Sequence, residues 1–253
     1  MHDVRHQVED RLPERLPVLA VLGLNESGDY DWSRLRHRQY RYVAHRKHQR
    51  LAGHIAAAGA AMALFWSVLP IWVSLVWLAF MAISQAIYNF RDRTVTMGPK
   101  PSVTRREVEV HHLGAVTFAF GWSILFPMVL YFAGPSMLLP AFALIAIVAM
   151  GAVTVMGLVP MGSVIYFLVT GAVSAGCFAF SGQPHLIVLV ALYVAFGLAA
   201  TLVRAEAFLR YAIVRNAVTE KSETVSLLLR EFEENEADWL WQIDKSRRVR
   251  AAS

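Results

Sequence analysis

Three histidines stand beside or within otherwise apolar sequence: His54, His111 and His112. A neutral imidazole can ligate haem iron or another metal ion, and ligation needs two of them on neighbouring helices at matched depth. Gln85 and Asn89 bring amides to the same half of the membrane. Ordinary hydrogen bonding between helices is the other use for all five groups. A haem or metal centre implies a redox or gas sensor; hydrogen bonding alone implies a polar cluster. A second chemistry is a small or lipophilic ligand lined by Phe118, Phe120, Trp122, Tyr131, Met156 and Tyr166, set against the reading that these side chains fill a core or face lipid. The lone Cys177 leaves no disulfide within the chain and reads as a small buried hydrophobe.

The elements that must hold these groups follow from composition. The 253 residues are 56% hydrophobic and 17% charged, where a soluble domain carries about 25% charge. From Leu51 to Val203 the chain is almost continuously apolar, with its charges gathered between Arg91 and Glu109. Hydrocarbon cannot satisfy a backbone N–H or C=O, so such a chain crosses as helices or as a closed barrel. The runs are too long and uniform for the alternating strands of a barrel. The expectation is an all-α membrane protein with six transmembrane helices within 51–203: about 51–69, 71–90, 112–132, 137–159, 163–180 and 185–203. Pro70, Gly134-Pro135, Pro160-Met161-Gly162 and Ser181-Gly182-Gln183-Pro184 mark the tight connections. Residues 91–110 are expected to form one long polar loop. Gly171/Ala175, Ala172/Gly176 and Ala56/Ala60 are small-xxx-small pairs that let helices approach closely.

Charge sets the orientation. Residues 1–50 read as a cytoplasmic arm followed by a basic juxtamembrane helix that Asp31 or Ser33 can cap. Arg34, Arg38, Arg41, Arg46, Lys47 and Arg50 are expected on anionic lipid headgroups, each contributing about 1 kcal/mol near the surface; a specific anionic ligand is the sharper alternative. Trp66, Trp72 and Trp77 suit the outer interface. The outer connections carry no Lys or Arg, so both termini are expected in the cytoplasm and the protein in a bacterial inner membrane. The net charge of +5 is then an orientation signal, and no nucleic-acid partner is implied. No signal peptide opens the chain; the first transmembrane helix would serve as an uncleaved one.

No Pro or Gly interrupts residues 204–236. Ala207, Tyr211, Val214, Val218, Lys221, Val225, Leu228 and Phe232 alternate four and three apart, a heptad seam with one polar break. The last helix is expected to continue about 45 Å into the cytoplasm as a parallel coiled coil that makes a homodimer. A single amphipathic helix packed on a following domain is the alternative.

After this helix come Phe232-Glu233-Glu234-Asn235-Glu236-Ala237-Asp238-Trp239-Leu240-Trp241-Gln242-Ile243-Asp244 and then Arg247-Arg248-Val249-Arg250. The stretch resembles the entry to a PAS domain: a helix, a first strand with a W-x-W-x-x-D pattern, a tight turn and a second strand. Trp239–Ile243 would be the first strand and Val249 would start the second, with residues 237–253 the beginning of the domain. The wording is similar to bacterial membrane-bound GGDEF/EAL proteins, which make or degrade cyclic di-GMP, and to some sensor histidine kinases. The resemblance implies a sensory input module that signals through the coil to a downstream PAS domain and output enzyme of the same chain. These residues hold no recognisable catalytic site, and the output would be a diguanylate cyclase or phosphodiesterase, or else a kinase. A small transporter or channel and a passive membrane anchor are readings of another class; the near absence of ionisable groups at mid-membrane weighs against transport.

Overall fold

The computed structural model describes residues 15–26, 30–97, 103–234, 241–243 and 249–251. Among them the chain is helical apart from one short hairpin. The helices are α1 (Val18–Leu22), α2 (Trp32–His45), α3 (Lys47–Phe65), α4 (Ile71–Met97), α5 (Arg105–Ser123), α6 (Leu125–Ala133), α7 (Leu138–Met156), α8 (Pro160–Phe180) and α9 (Ile187–Glu234). The hairpin pairs β1 (Trp241–Ile243) antiparallel with β2 (Val249–Ala251), with Trp241 opposite Ala251 and Ile243 opposite Val249. The chain divides into two compact units, 1–210 and 211–253.

Five helical stretches are long and apolar enough to cross a membrane: Ile71–Phe90, Arg106–Ala133, Pro135–Met156, Pro160–Phe180 and Pro184–Glu231. Their outward faces carry Ile83, Phe120, Ile147, Leu168, Val188 and Phe196, all exposed. That is far more contiguous apolar surface than a water-facing monomer carries, and it is the surface of a multi-pass membrane protein. The stretch expected as the first crossing is not among the five. α3 takes in the polar Lys47–Arg50, and its apolar part from Leu51 to Phe65 covers only about 22 Å at 1.5 Å per residue.

Local chemistry explains the other boundaries. Asp31 caps α2 by accepting from the Arg34 amide at 3.0 Å. The basic segment is not one helix up to Arg50: it breaks at Arg46, and Tyr40 and Val43 of α2 pack on Leu158 and Val159. The polar loop is shorter than expected. Nothing in 91–97 breaks a helix, so α4 runs to Met97, and Gly98, Pro99 and Pro101 come only afterwards. α5 starts at Arg105 because Thr104 and Glu107 form a reciprocal capping box. Pro127, which lacks an N–H, splits the stretch Arg106–Ala133 into α5 and α6 at Ile124. Pro140 lies in the first turn of α7 and kinks nothing there, since that turn needs no donor.

The core of the first unit is built on Trp122, Phe126, Ile145, Phe167 and Phe178, all essentially inaccessible. α5 packs along α8, α4 along α5, and α3 along α7. Trp77 does not share the exposure of Trp66 and Trp72. It is buried, and its indole N–H donates to the Gly121 carbonyl at 2.8 Å, because α4 and α5 meet tightly there: a methyl on Gly121 would lie 2.6 Å from the Met81 sulfur. Of the two glycines in the small-residue pairs, Gly171 sits at a close approach, 2.5 Å from Val194 for an added Cβ. Gly176 has open space beside it, and Ala56 and Ala60 face outward.

The second unit holds the seam on α9. Tyr211, Val218, Val225 and Leu228 are each at least half exposed, Lys221 is exposed, and Val214 is half-buried. Ala207, at the end of the first unit, is exposed. The Phe232 side chain, Trp239 and the turn 244–248 lie outside the described residues.

Candidate functional site

One end of the bundle carries a polar cluster around a cavity of about 60 Å³. Helical spacing builds it face by face. Arg50 and His54 lie four apart on α3, Gln85 and Tyr88 three apart on α4, Ala115 and Phe118 three apart on α5, and Gly162, Ser163, Tyr166 and Phe167 along one face of α8. Val148, Ala149, Val153 and Met156 of α7 close the apolar side.

Arg50 is the pivot of the cluster. It was expected at the lipid headgroups, yet it is 6% exposed and its guanidinium turns inward. Nη2 donates to Asn89 Oδ1 at 2.9 Å, and the guanidinium carbon lies 4.5 Å from the centre of the Tyr88 ring. Asn89 Oδ1 also accepts from Gln85 Nε2 at 3.2 Å. A planar cation stacked on a phenol and held by an amide has its orientation fixed. The remaining basic residues of the set fit a surface role better. Arg34 and Arg41 are exposed, Arg38, Arg46 and Lys47 are half-buried, and Arg46 sits over the Tyr42 ring at 4.8 Å.

The histidines separate. His54 lines the cavity, its ring 4.3 Å from that of Phe118, and its Nδ1 is buried without a hydrogen-bond partner. His111 is buried one layer away: Nε2 lies 2.8 Å from the Tyr88 hydroxyl, and the ring packs edge-on against Tyr40 at 4.7 Å. His112 is half-buried and does not line the cavity. Gln85, Asn89 and His111 therefore join through Arg50 and Tyr88, while His54 faces the empty space. Among the described residues no three His, Cys, Asp or Glu side chains converge as a metal site. The 60 Å³ of space beside His54 has room for a few waters or a small molecule and none for a porphyrin.

Of the aromatic set, Phe118, Met156 and Tyr166 line the cavity, Trp122 is in the core, and Phe120 and Tyr131 face outward. The Tyr166 hydroxyl is the second orphan: it is buried and unpartnered. Sequence reasoning missed Arg50, Tyr88 and Ser163. The signal was present in the four-residue step from Arg50 to His54, which puts both on one face of α3 whatever the depth of the membrane.

A second polar layer lies outside the crossings. Arg36 is buried on α2 and donates to the carbonyl of Val21 (3.0 Å), that of Ala20, the Gln39 side chain (2.9 Å) and Glu26 (3.3 Å). Gln39 in turn donates to the Leu158 carbonyl at 2.6 Å, and the Leu16 amide donates to Glu206 at 3.3 Å. The arm 16–24 is thus docked on α2 through Arg36 and on α9 through Glu206, and α2 is in turn held to the connection between α7 and α8. Burial pulls the Arg36 guanidinium below its ordinary value, with Glu26 opposing the fall.

Compared with protein-family models, curated proteins and solved structures, the chain matches none.

Proposed function

We propose that the chain is the membrane input module of a signalling protein: six crossings, both termini cytoplasmic, and an output helix that dimerises as a coiled coil ahead of a PAS domain and an enzyme of cyclic di-GMP turnover. α3 is the sixth crossing, completed by the turn 66–70 that leads into α4. An even number of crossings returns both basic ends to one side, as the charge asymmetry asks.

One observation carries the reading. α9 runs unbroken from Ile187 to Glu234, and its later part exposes Tyr211, Val218, Val225 and Leu228 at heptad spacing. A solvated helix has no reason to keep an apolar seam unless another surface covers it, and an identical helix in register is the simplest cover. The hairpin of β1 and β2 supports the PAS entry, since it places two extended runs where that resemblance expects them. A shift or rotation of the last crossing would then be read as a change of coil register.

Disulfide scanning in native membranes tests this. Val218→Cys and Val225→Cys should give dimers on mild oxidation, and Arg215→Cys and Glu223→Cys, off the seam, should give several-fold less. Equal crosslinking at all four positions would remove the coil, and a monomer by light scattering in mild detergent would remove the dimer. For the output, the coding sequence beyond Ser253 should continue through a PAS core into GGDEF and EAL motifs; a kinase core there would move the output to phosphotransfer.

A further inference from the structure

We propose that the cavity among α3, α4, α5, α7 and α8 binds a small carboxylate with a short apolar tail, and that this is the stimulus of the input module; the assignment of a stimulus rests on the sensory reading above, the binding site does not. Four observations converge on it.

First, two buried polar atoms that line or adjoin the same space have no partner, His54 Nδ1 and the Tyr166 hydroxyl. A buried polar atom without a hydrogen bond is destabilising, and two in one cavity mark a place where a third molecule would supply the missing partner. Tyr166 can donate, and the imidazole can donate from whichever nitrogen carries the proton, so an acceptor-rich ligand fits both.

Second, the cavity lies against the start of α8. Val159, Gly162 and Ser163 line it, Pro160 opens the helix, and no side chain caps that end. The first-turn amides of a 21-residue helix have no intrahelical acceptor, and their dipole end favours negative charge. Third, Arg50 brings a full positive charge to the wall, held in place by Asn89 and Tyr88, and the lining includes no Asp or Glu. One cation, a helix N-terminus and a set of donors suit a singly charged oxyanion. Fourth, much of the rest of the wall is apolar: Phe118, Val148, Ala149, Val153, Met156 and Phe167. A bare inorganic anion would leave that wall unused, whereas a few methylenes would fill it.

The carboxylate arrives from the cytoplasm as a soluble short-chain acid; a fatty acid of the bilayer is the competing source. The test uses the whole chain in phosphatidylcholine nanodiscs, titrated calorimetrically with acetate, butyrate and hexanoate, with inorganic phosphate as the comparison anion. A parallel titration uses nanodiscs doped with palmitate. One saturable site per chain is expected, tighter for butyrate or hexanoate than for acetate or phosphate. Tyr166→Phe removes only an unpaired hydroxyl, so it should fold as the parent does and bind about tenfold more weakly. His54→Gln should weaken binding similarly. Binding of the soluble acids supports the site, and binding of palmitate alone, whose tail is too long for the cavity, would overturn it. Saturable binding of none of these carboxylates, phosphate bound as tightly as butyrate, or equal affinity in parent and Tyr166→Phe would each overturn it. The stimulus has its own readout in Val218→Cys crosslinking. A change with butyrate in the parent background that is lost with Tyr166→Phe supports it. Unchanged crosslinking at saturating butyrate overturns the stimulus and leaves the site standing.

Discussion

Replacing Arg36 by Ala should release the N-terminal arm and leave the bundle intact. The guanidinium is the sole described partner of two carbonyls at the end of α1, those of Ala20 and Val21, apart from turn bonds, and it also holds Gln39 and Glu26. The Val21 carbonyl and the Gln39 side-chain oxygen lose a buried donor while the Ala20 carbonyl keeps the Gly23 amide, so at about 1–3 kcal/mol for each unpaired acceptor the docked arm of the variant is disfavoured by about 2–6 kcal/mol. Against this stands the burial of Leu16, Ala20 and Val21, of which the two larger side chains contribute about 1.5–3 kcal/mol each and Ala less. The five residues of α1 cannot stay helical alone. The two terms nearly cancel, and the entropy of ordering the backbone of residues 16–24, about 1–2 kcal/mol per residue, tips the variant to release, so the global loss is capped near the docking energy rather than the full penalty. Hydrogen exchange reads this directly. The amides of Val21, Gly23 and Leu24, which donate to Pro17, Ala20 and Leu19, should lose their protection, while those of Ala119 to Ser123 keep theirs. Arg36→Lys, with a point charge in place of a planar fork, should fall between the two. Retained protection at Val21 and Leu24 in Arg36→Ala, or equal loss of protection in arm and core, would refute the argument.

Three further outcomes are expected. Trp77→Phe should lower stability by about 1–3 kcal/mol, because it strips the Gly121 carbonyl of its buried donor; thermal unfolding in detergent measures it. Gly197→Ala should destabilise by about 1–3 kcal/mol, since its Cβ would lie 2.3 Å from the Phe167 ring, whereas Gly59→Ala, with open space beside it, should be neutral or slightly stabilising. His37 is buried on α2, and desolvation first, then Arg41, lowers its pKa, with Glu107 opposing. The unfolded chain then holds more protons as pH falls through about 6.5, so stability should drop on acidification and His37→Gln should flatten that slope between pH 7.5 and 5.

The crossings α4 to α9 were legible because hydropathy over some twenty residues sums many small preferences, and Pro and Gly mark their ends. Depth along a helix was legible; direction around it was not. Arg50 and Trp77 sit where depth alone says interface, and both turn inward because a neighbour offers a partner: Asn89 and Tyr88 for one, the Gly121 carbonyl for the other. The docking of residues 16–24 was illegible for the same reason, since its acceptor sites are main-chain carbonyls that any sequence would present. At the candidate site the sequence marked His54, Gln85, Asn89 and His111. It did not mark the void between α3 and α8, which exists only once the helices are packed.

Trp122 is wholly inaccessible, lies 6.3 Å from the His54 ring and stacks edge-on against Trp77 at 5.5 Å, while Trp66 and Trp72 are about two-thirds exposed. The chain therefore carries an indole in a dry setting next to an ionisable ring, and others at the periphery. Indole emission shifts to the blue in apolar surroundings and is quenched by a nearby imidazolium. Collisional quenchers dissolved in water or lipid reach the peripheral rings first and leave, among the described residues, Trp122, Trp77 and the equally buried Trp32 as the residual emission. Protonation or occupancy at His54 can then be followed as a change in that residual light, in unmodified protein and in real time.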